Sequence, residues 1–285
     1  MKAFRPRLYN PFERIDEEHL SHSKMQIAHC DIQKFDEDGF VVIPQLLAKA
    51  EVRRLIAAIA SAADDFSHNE EPKGHIVRRD RDLYAIRNLV HVVPAMHGVQ
   101  QLPPIREVVS QALGRDALLV RTILFDKTEK SNWGVFWHQD VSIAVRERCE
   151  VAGFENWSSK AGVTHVQPPT DVLENMLTVR LHLDDCDESN GPLRVIPGSH
   201  RQGRLTDDDI MRWKEKGIEV SCLVPAGGAL LFRPLLLHSS QRMKVPSRRR
   251  VLHLEFSACE LPHPLKWASR DPIAPESASG SAAIA

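Results

Sequence analysis

Three short stretches of the sequence set an imidazole and a carboxylate two residues apart. They are His138 and Asp140 in "VFWHQDVSIAV", His182 and Asp184 in "LTVRLHLD", and His253 and Glu255 in "RRRVLHLEF". These compositions predict strands, in which residues i and i+2 share a face. Such a pair supplies two ligands to a metal. With one more histidine it completes the 2-His-1-carboxylate set typical of non-haem Fe(II) oxygenases, which leaves coordination positions open. Spacing alone does not choose among the three pairs, and a polar pair on a solvent-facing strand is the plain alternative.

The rest of the composition narrows the field. With 285 residues, 42% of them apolar, the chain can bury a sizeable core. Lys and Arg number 37 against 38 Asp and Glu, so no charge excess points to nucleic acid or to an anionic membrane. The start has no signal-peptide pattern, and no run approaches the roughly 18 apolar residues of a membrane span. We therefore expect a soluble, cytoplasmic protein; nothing in the sequence points to an oligomeric state. Five scattered cysteines, none in a C-x-x-C, argue against a disulfide framework or a zinc–thiolate site. A metal site here is expected to use nitrogen and oxygen ligands.

The elements that would carry such a site are expected in one domain spanning 1–285. Residues 1–33 read as a polar lead-in, and Asp38-Gly39 as a turn before a short apolar strand. "AKAEVRRLIAAIASAADDF" has apolar residues at helical spacing, and "PPIREVVSQALG" opens with prolines and closes on Gly114, as helices do. From about residue 117 the pattern turns to short strands: "ALLVRTILFDK", "VFWHQDVSIAV", "MLTVRLHLDD", "LRVIPGSH", "VSCLVPAGGALLFRPLLLHSS" and "RRRVLHLEFSA". One helical insertion, "DDDIMRWKEKG", interrupts them, and residues 271–285 read as a disordered tail. Strands in series with Gly and Pro turns predict an antiparallel sandwich or barrel. In two of the strands the polar face is unusually rich. Thr178, Arg180, His182 and Asp184 share one, and Arg249, Val251, His253 and Glu255 share the other. Such a face belongs to solvent or to a polar lumen.

"GGALLFRPLLLHSS" predicts a strand ending in His238, and Arg249 follows eleven residues later. Beside a metal, a guanidinium is the right fork for a carboxylate. The H-x-D at 138–140, "NGPLRVIPGSH" at 190–200, His238 with a following serine, and Arg249 occur in the order that resembles the phytanoyl-CoA dioxygenase family, over roughly residues 35–257. The resemblance implies a mainly β fold, a double-stranded β-helix (jelly-roll, cupin-like) barrel with N-terminal helices packed on it. It implies Fe(II) on His138, Asp140 and His238, and 2-oxoglutarate with its distal carboxylate on Arg249, with Ser240 as a support for the same carboxylate. Spacing and strand parity favour Arg249 over Arg250. With O2, such enzymes convert 2-oxoglutarate to succinate and CO2 and hydroxylate an unactivated C–H bond. Halogenating relatives carry a small residue at the carboxylate position, so an intact Asp140 favours hydroxylation. Desaturation, cyclisation or epimerisation with the same cofactors, and a non-catalytic cupin-like binding protein, are the alternatives. For substrate contacts the candidates are Arg180, Thr178 and His182 on the lumen face, and Trp157, Lys160 and His165 in the long 141–176 segment, which reads as a lid. Arg121, Lys127 and Lys130 are further cations that could serve 2-oxoglutarate or substrate.

Overall fold

A computed structural model describes residues 7–9, 29–68, 75–79, 82–114, 116–160 and 162–273. Strand β1 (Arg7–Tyr9) and helix α1 (His29–Asp38) fall in the stretch read as a polar lead-in; the remainder of 1–28 lies outside the described residues. Strand β2 (Phe40–Ile43) and helix α2 (Lys49–His68) follow as expected. A hairpin of β3 (Ile76–Arg79) and β4 (Asp82–Arg87) leads to short α3 (Leu89–Val92) and to α4 (Pro103–Leu113). Next come β5 (Leu118–Lys127), β6 (Val135–His138), β7 (Ile143–Val145), β8 (Glu155–Lys160), β9 (Val163–Gln167), α5 (Thr170–Glu174), β10 (Met176–His182) and β11 (Leu193–Val195). The chain continues through α6 (Asp207–Lys216), β12 (Val220–Cys222), β13 (Ala229–Phe232), β14 (His238–Ser240), β15 (Arg249–Ser257) and β16 (Asp271–Pro272).

The strands form a large sheet in the order β2-β13-β10-β15-β5-β4-β3, with β16 also on β5, and a smaller sheet in the order β1-β12-β11-β14-β6. Apart from the parallel β1–β12 pair, the described pairings are antiparallel. One face of the large sheet, with Leu177, Val179, Leu181, Leu252 and Leu254, packs on Leu55 and Ile59 of α2 and Ile105 and Val109 of α4. On the other face, Phe40, Val42, Leu230 and Phe232 meet Leu193, Val195 and Cys222 of the smaller sheet. This is the expected mainly β, double-stranded β-helix architecture with helices on one side. Each fully buried Leu or Ile contributes about 1.5–3 kcal/mol. Among the described residues no helix is long and apolar enough to cross a membrane.

The polar faces of β10 and β15 point between the sheets, not to solvent. Thr178, Arg180, His182, Arg249, His253 and Glu255 are all buried. Pairing across β5, β15 and β10 arranges them in rows: Lys127 beside Arg249; Phe125, Val251 and His182; Ile123, His253 and Arg180; and Arg121, Glu255 and Thr178. A lumen lined this way costs stability, because each buried polar atom left without a partner costs about 1–3 kcal/mol.

Four expectations need correction. "VFWHQDVSIAV" is not one strand: β6 ends at His138 in the smaller sheet, and β7 begins at Ile143 in a third sheet of order β7-β9-β8. Between them the Asp140 N–H donates to Pro234 O at 2.9 Å instead of joining a ladder. "GGALLFRPLLLHSS" likewise breaks, because Pro234 has no N–H to donate. The chain crosses there from β13 in the large sheet to β14 in the smaller one, so His238 opens a strand rather than ending one. The 141–176 segment, read as a lid, holds the third sheet and α5, anchored by Ile143, Val145, Phe154 and Val166 against Leu118, Val120 and Trp267. The start of the supposed tail belongs to the fold: Asp271 and Pro272 pair with Leu119 and Leu118, and Ile273 is in the core, while 274–285 lie outside the described residues.

Candidate active site

His138 and His238 are direct cross-strand partners at the ends of β6 and β14, with ring centroids 4.2 Å apart. Each turns its Nδ1 onto the carbonyl two residues back: Phe136 O for His138 and Leu236 O for His238, both at 2.8 Å. Only a protonated Nδ1 can bond a carbonyl, so this assigns the tautomer and leaves a bare lone pair on Nε2. The two Nε2 atoms face the Asp140 carboxylate, at 3.8 Å to Oδ1 from His138 and 3.7 Å to Oδ2 from His238. These gaps are too long for hydrogen bonds. They suit three donors meant to share a cation, and one ligand atom from each residue lies within 4.8 Å of the others. Burial would raise the Asp140 pKa, but the imidazoles of His238, His253 and His138 and the Arg121 guanidinium outweigh it and hold it at about 2. Burial also pushes His238 down to about 4 against the pull of Asp140. The carboxylate is thus ionised and His238 neutral at neutral pH, the states a metal requires.

The two competing pairs are otherwise engaged. Asp184 lies beyond the end of β10, not on the face of His182, and takes the Arg250 guanidinium at 2.8 and 2.6 Å. His253 Nε2 bonds Glu255 Oε1 at 3.1 Å, and Glu255 also accepts from Arg121 at 2.9 Å. Among the described residues only His138, Asp140 and His238 form a group able to hold a metal.

The profile of the phytanoyl-CoA dioxygenase family matches residues 35–251, which contain every side chain of this centre. The chain belongs to that family. An ectoine dioxygenase of Nocardia farcinica is 25% identical over 254 residues, covering 80% of this chain and 77% of that one. The L-proline trans-4-hydroxylase of Streptomyces griseoviridis is 23% identical over 251 residues, covering 79% and 84%. Other ectoine dioxygenases are matched over about half of their own length. Among solved structures, EctD from S. alaskensis, with 2-oxoglutarate and 5-hydroxyectoine, superposes with a TM-score of 0.64 at 21% identity, covering 89% of this chain and 82% of that chain, a likeness of fold. As a phytanoyl-CoA dioxygenase family member, the protein is a non-haem Fe(II)- and 2-oxoglutarate-dependent dioxygenase.

Beside the three donors lies a second cluster, at the Lys127–Arg249 end of the lumen. Arg249 Nη1 donates to Gly191 O and touches Cys186 Sγ at 3.7 Å, while its Nε has no partner. Lys127 Nζ donates to Gln241 O at 2.8 Å and reaches Ser240 Oγ at 3.4 Å; Ser240 in turn donates to Gly191 O. Both cations are buried, and no described carboxylate pairs with either. Buried charge without a counter-ion is costly, so the cluster fits an anionic group supplied from outside. Arg250 points away onto Asp184, as strand parity predicts. Lys127 is driven down to about 7 by burial first, then by Arg249 and Arg180. An arriving carboxylate favours the protonated amine. Below pH 7 Lys127 already carries its proton; above it, binding must take one up. We therefore expect 2-oxoglutarate affinity, measured by titration of the Fe(II)-loaded protein, to fall as pH rises from 7 to 9, and Lys127→Met to flatten that dependence.

A cavity of about 210 Å³ joins the two groups, lined by His138, Asp140, His238, Arg249, Ser240 and Arg180, among others. Arg180 contacts His253 Nδ1 at 3.3 Å and lies over the Phe125 ring. Thr178 and His182 are buried off this cavity, with Thr178 Oγ1 and both His182 ring nitrogens unpartnered. Trp157, Lys160 and His165 do not line it either: Trp157 packs under Arg148, Lys160 bonds Ser142 at 3.1 Å, and His165 bonds Val163 O at 3.0 Å. Lys130 is exposed. Sequence reading missed Tyr84 and Trp133, whose rings meet at a tilt with centroids 4.0 Å apart, with Lys127 over the indole. It also missed Gln139, whose amide donates to Gly203 O and Leu235 O and accepts from Leu205 N. A glutamine between two ligands was a signal, but only its partners give it meaning.

Proposed function

We propose that this enzyme hydroxylates an unactivated C–H bond of a small organic molecule, with Fe(II) on His138, Asp140 and His238 and 2-oxoglutarate anchored by Arg249, Lys127 and Ser240. One observation carries the reading: three donors in ligating states lie beside two buried cations that lack an acidic partner. When bound, iron and 2-oxoglutarate supply oxygen activation, with succinate and CO2 as the co-products. The chain supplies position and electrostatics. Asp140 brings the single negative charge to the metal, and the backbone carbonyls behind His138 and His238 fix both rings. Arg249 and Lys127 orient the co-substrate through its far carboxylate, while the aromatic wall of Tyr84 and Trp133 keeps water from Lys127. Because Asp140 occupies the carboxylate position, hydroxylation is favoured over halide transfer. The reduced thiols Cys186 and Cys222 suit the cytoplasm, where we place the protein.

Anaerobic addition of Fe(II) and 2-oxoglutarate is expected to produce a visible charge-transfer band. Admitting O2 with a substrate should then yield succinate and a product carrying one oxygen atom from 18O2. A product without label points to desaturation, cyclisation or epimerisation at the same centre. A protein that binds both ligands yet makes no succinate with any compound in a broad metabolite screen would be the cupin-like binder instead.

A further inference from the structure

The lumen carries a second set of cations, at the end away from Arg249. Arg121 lies six residues before Lys127 on β5 and faces the same cavity. At about 3.3 Å per strand residue, its backbone stands roughly 20 Å from that of Lys127. His138, Asp140 and His238 line that cavity too, and Asp140 feels the Arg121 charge, so the Arg121 end borders the proposed metal centre apart from the Lys127–Arg249 anchor. Two more cations border it. Arg87 pairs across β4 with Ile123, a residue of the cavity wall, and so shares the cavity face of the sheet. Lys160, the last residue of β8, is exposed outside the cavity lining and donates to Ser142 Oγ at 3.1 Å, two residues beyond Asp140. The charges sense one another. Burial lowers the Arg87 pKa first and Arg121 lowers it further; Lys160 is lowered by desolvation and then by Arg121 and Arg87.

Two carboxylates stand against these three cations: Glu255, and Asp140, whose charge the proposed metal centre claims. Glu255 Oε1 is shared by Arg121 at 2.9 Å and His253 at 3.1 Å. Arg87 makes no ion pair with any described residue, and Lys160 bonds only the neutral Ser142 hydroxyl. Neither charge is needed to hold the fold together, and crowding them beside Arg121 costs free energy. Such an arrangement is retained where a ligand supplies the missing negative charge.

We propose that Arg87, Arg121 and Lys160 form a cradle for a carboxylate of the substrate, so that the molecule oxidised is a small carboxylic acid held by its anionic group opposite the 2-oxoglutarate anchor. The inference rests on the oxygenase reading above and narrows its substrate class. Glu255 and His253 act beneath the cradle as positioning residues that keep the Arg121 guanidinium aimed into the cavity.

The test uses matched pairs of small amino, hydroxy and cyclic carboxylic acids and their carboxamides. Each is titrated anaerobically into the full-length protein loaded with Fe(II) and 2-oxoglutarate. Binding is read as a shift of the charge-transfer band and, independently, as a thermal shift of the metal-free protein. At least one acid should bind about tenfold or more tightly than its amide. Arg87→Gln and Lys160→Gln should each weaken that acid about 10-fold or more, with 2-oxoglutarate affinity unchanged and Lys160→Arg restoring binding. Arg121→Gln alone strands a buried carboxylate, so it is combined with Glu255→Gln to keep the charge balance; the pair should also lose the acid. The cradle is overturned if acids and amides bind alike, if no acid in the panel binds, if amines or phosphate monoesters are preferred, or if the variants bind as the parent does. Absence of the charge-transfer band in the parent protein would instead sink the oxygenase reading itself, whereas a normal band without acid preference sinks only the cradle.

Discussion

Asp140→Ala is expected to abolish Fe(II) binding at micromolar metal, and with it the charge-transfer band and all turnover. The carboxylate is the only negative charge among the three donors, and its pKa near 2 keeps it ionised across the working pH range. Outer partners of metal ligands are worth about 10–100-fold in affinity, and loss of a direct ligand exceeds that. His238→Ala should do the same from the buried side of the centre. A purely structural failure is distinguishable. The Asp140 carboxylate accepts no hydrogen bond from the described residues; its neighbours are the two Nε2 atoms at 3.7 and 3.8 Å. Its removal orphans no buried donor and costs only the attraction to Arg121 and the imidazoles, so the metal-free variant should stay folded and melt at or slightly below the parent temperature. Isothermal titration with Fe(II) under anaerobic conditions and a melting curve of the metal-free protein check both halves. If His182→Ala rather than His138→Ala removes the metal, the assignment of the three ligands is wrong.

Arg249→Ala is expected to weaken 2-oxoglutarate by about 30- to 5000-fold, the equivalent of the ~2–5 kcal/mol that truncating one partner of a buried charge pair costs. The metal should still bind, because Arg249 touches none of its ligands. Arg250→Ala supplies the contrast. It leaves the half-buried Asp184 carboxylate without its guanidinium, so it should lower stability by about 1–3 kcal/mol and leave 2-oxoglutarate affinity near the parent value. Two neighbouring arginines thus separate binding from folding. The reverse pattern, with affinity lost in Arg250→Ala and kept in Arg249→Ala, would shift the register of β15 by one residue.

Parity made the faces of β10 and β15 readable: Leu177, Val179, Leu181, Leu252 and Leu254 face the helices, and Arg180, His182, Arg249, His253 and Glu255 face inward. It said nothing about whether that inward face meets water or a second sheet, since both give the same alternation. The order of His138, Asp140, His238 and Arg249 along the chain resolved this through family resemblance. The breaks after His138 and at Pro234 were hidden because the apolar character continues straight through both; only the partner strands show that the chain changes sheets. The Arg121–Glu255 pair joins residues 134 apart in sequence, and the Lys127–Gln241 bond joins residues 114 apart. Contacts of that span leave no periodic trace, so Lys127 stood out only as one of several cations before His138, and Arg87 not at all.

Gln139 has a consequence for how the centre is assembled. Its amide spends three bonds, at 2.9, 2.6 and 2.8 Å, on Gly203, Leu235 and Leu205, tying the loop between the two β6-side donors to the segment that leads into His238. Donors braced from behind keep their spacing before any ion is bound, so little ordering is left to be done when one arrives. The buried glutamine between His138 and Asp140 thus preorganises the three candidate donors as one rigid unit.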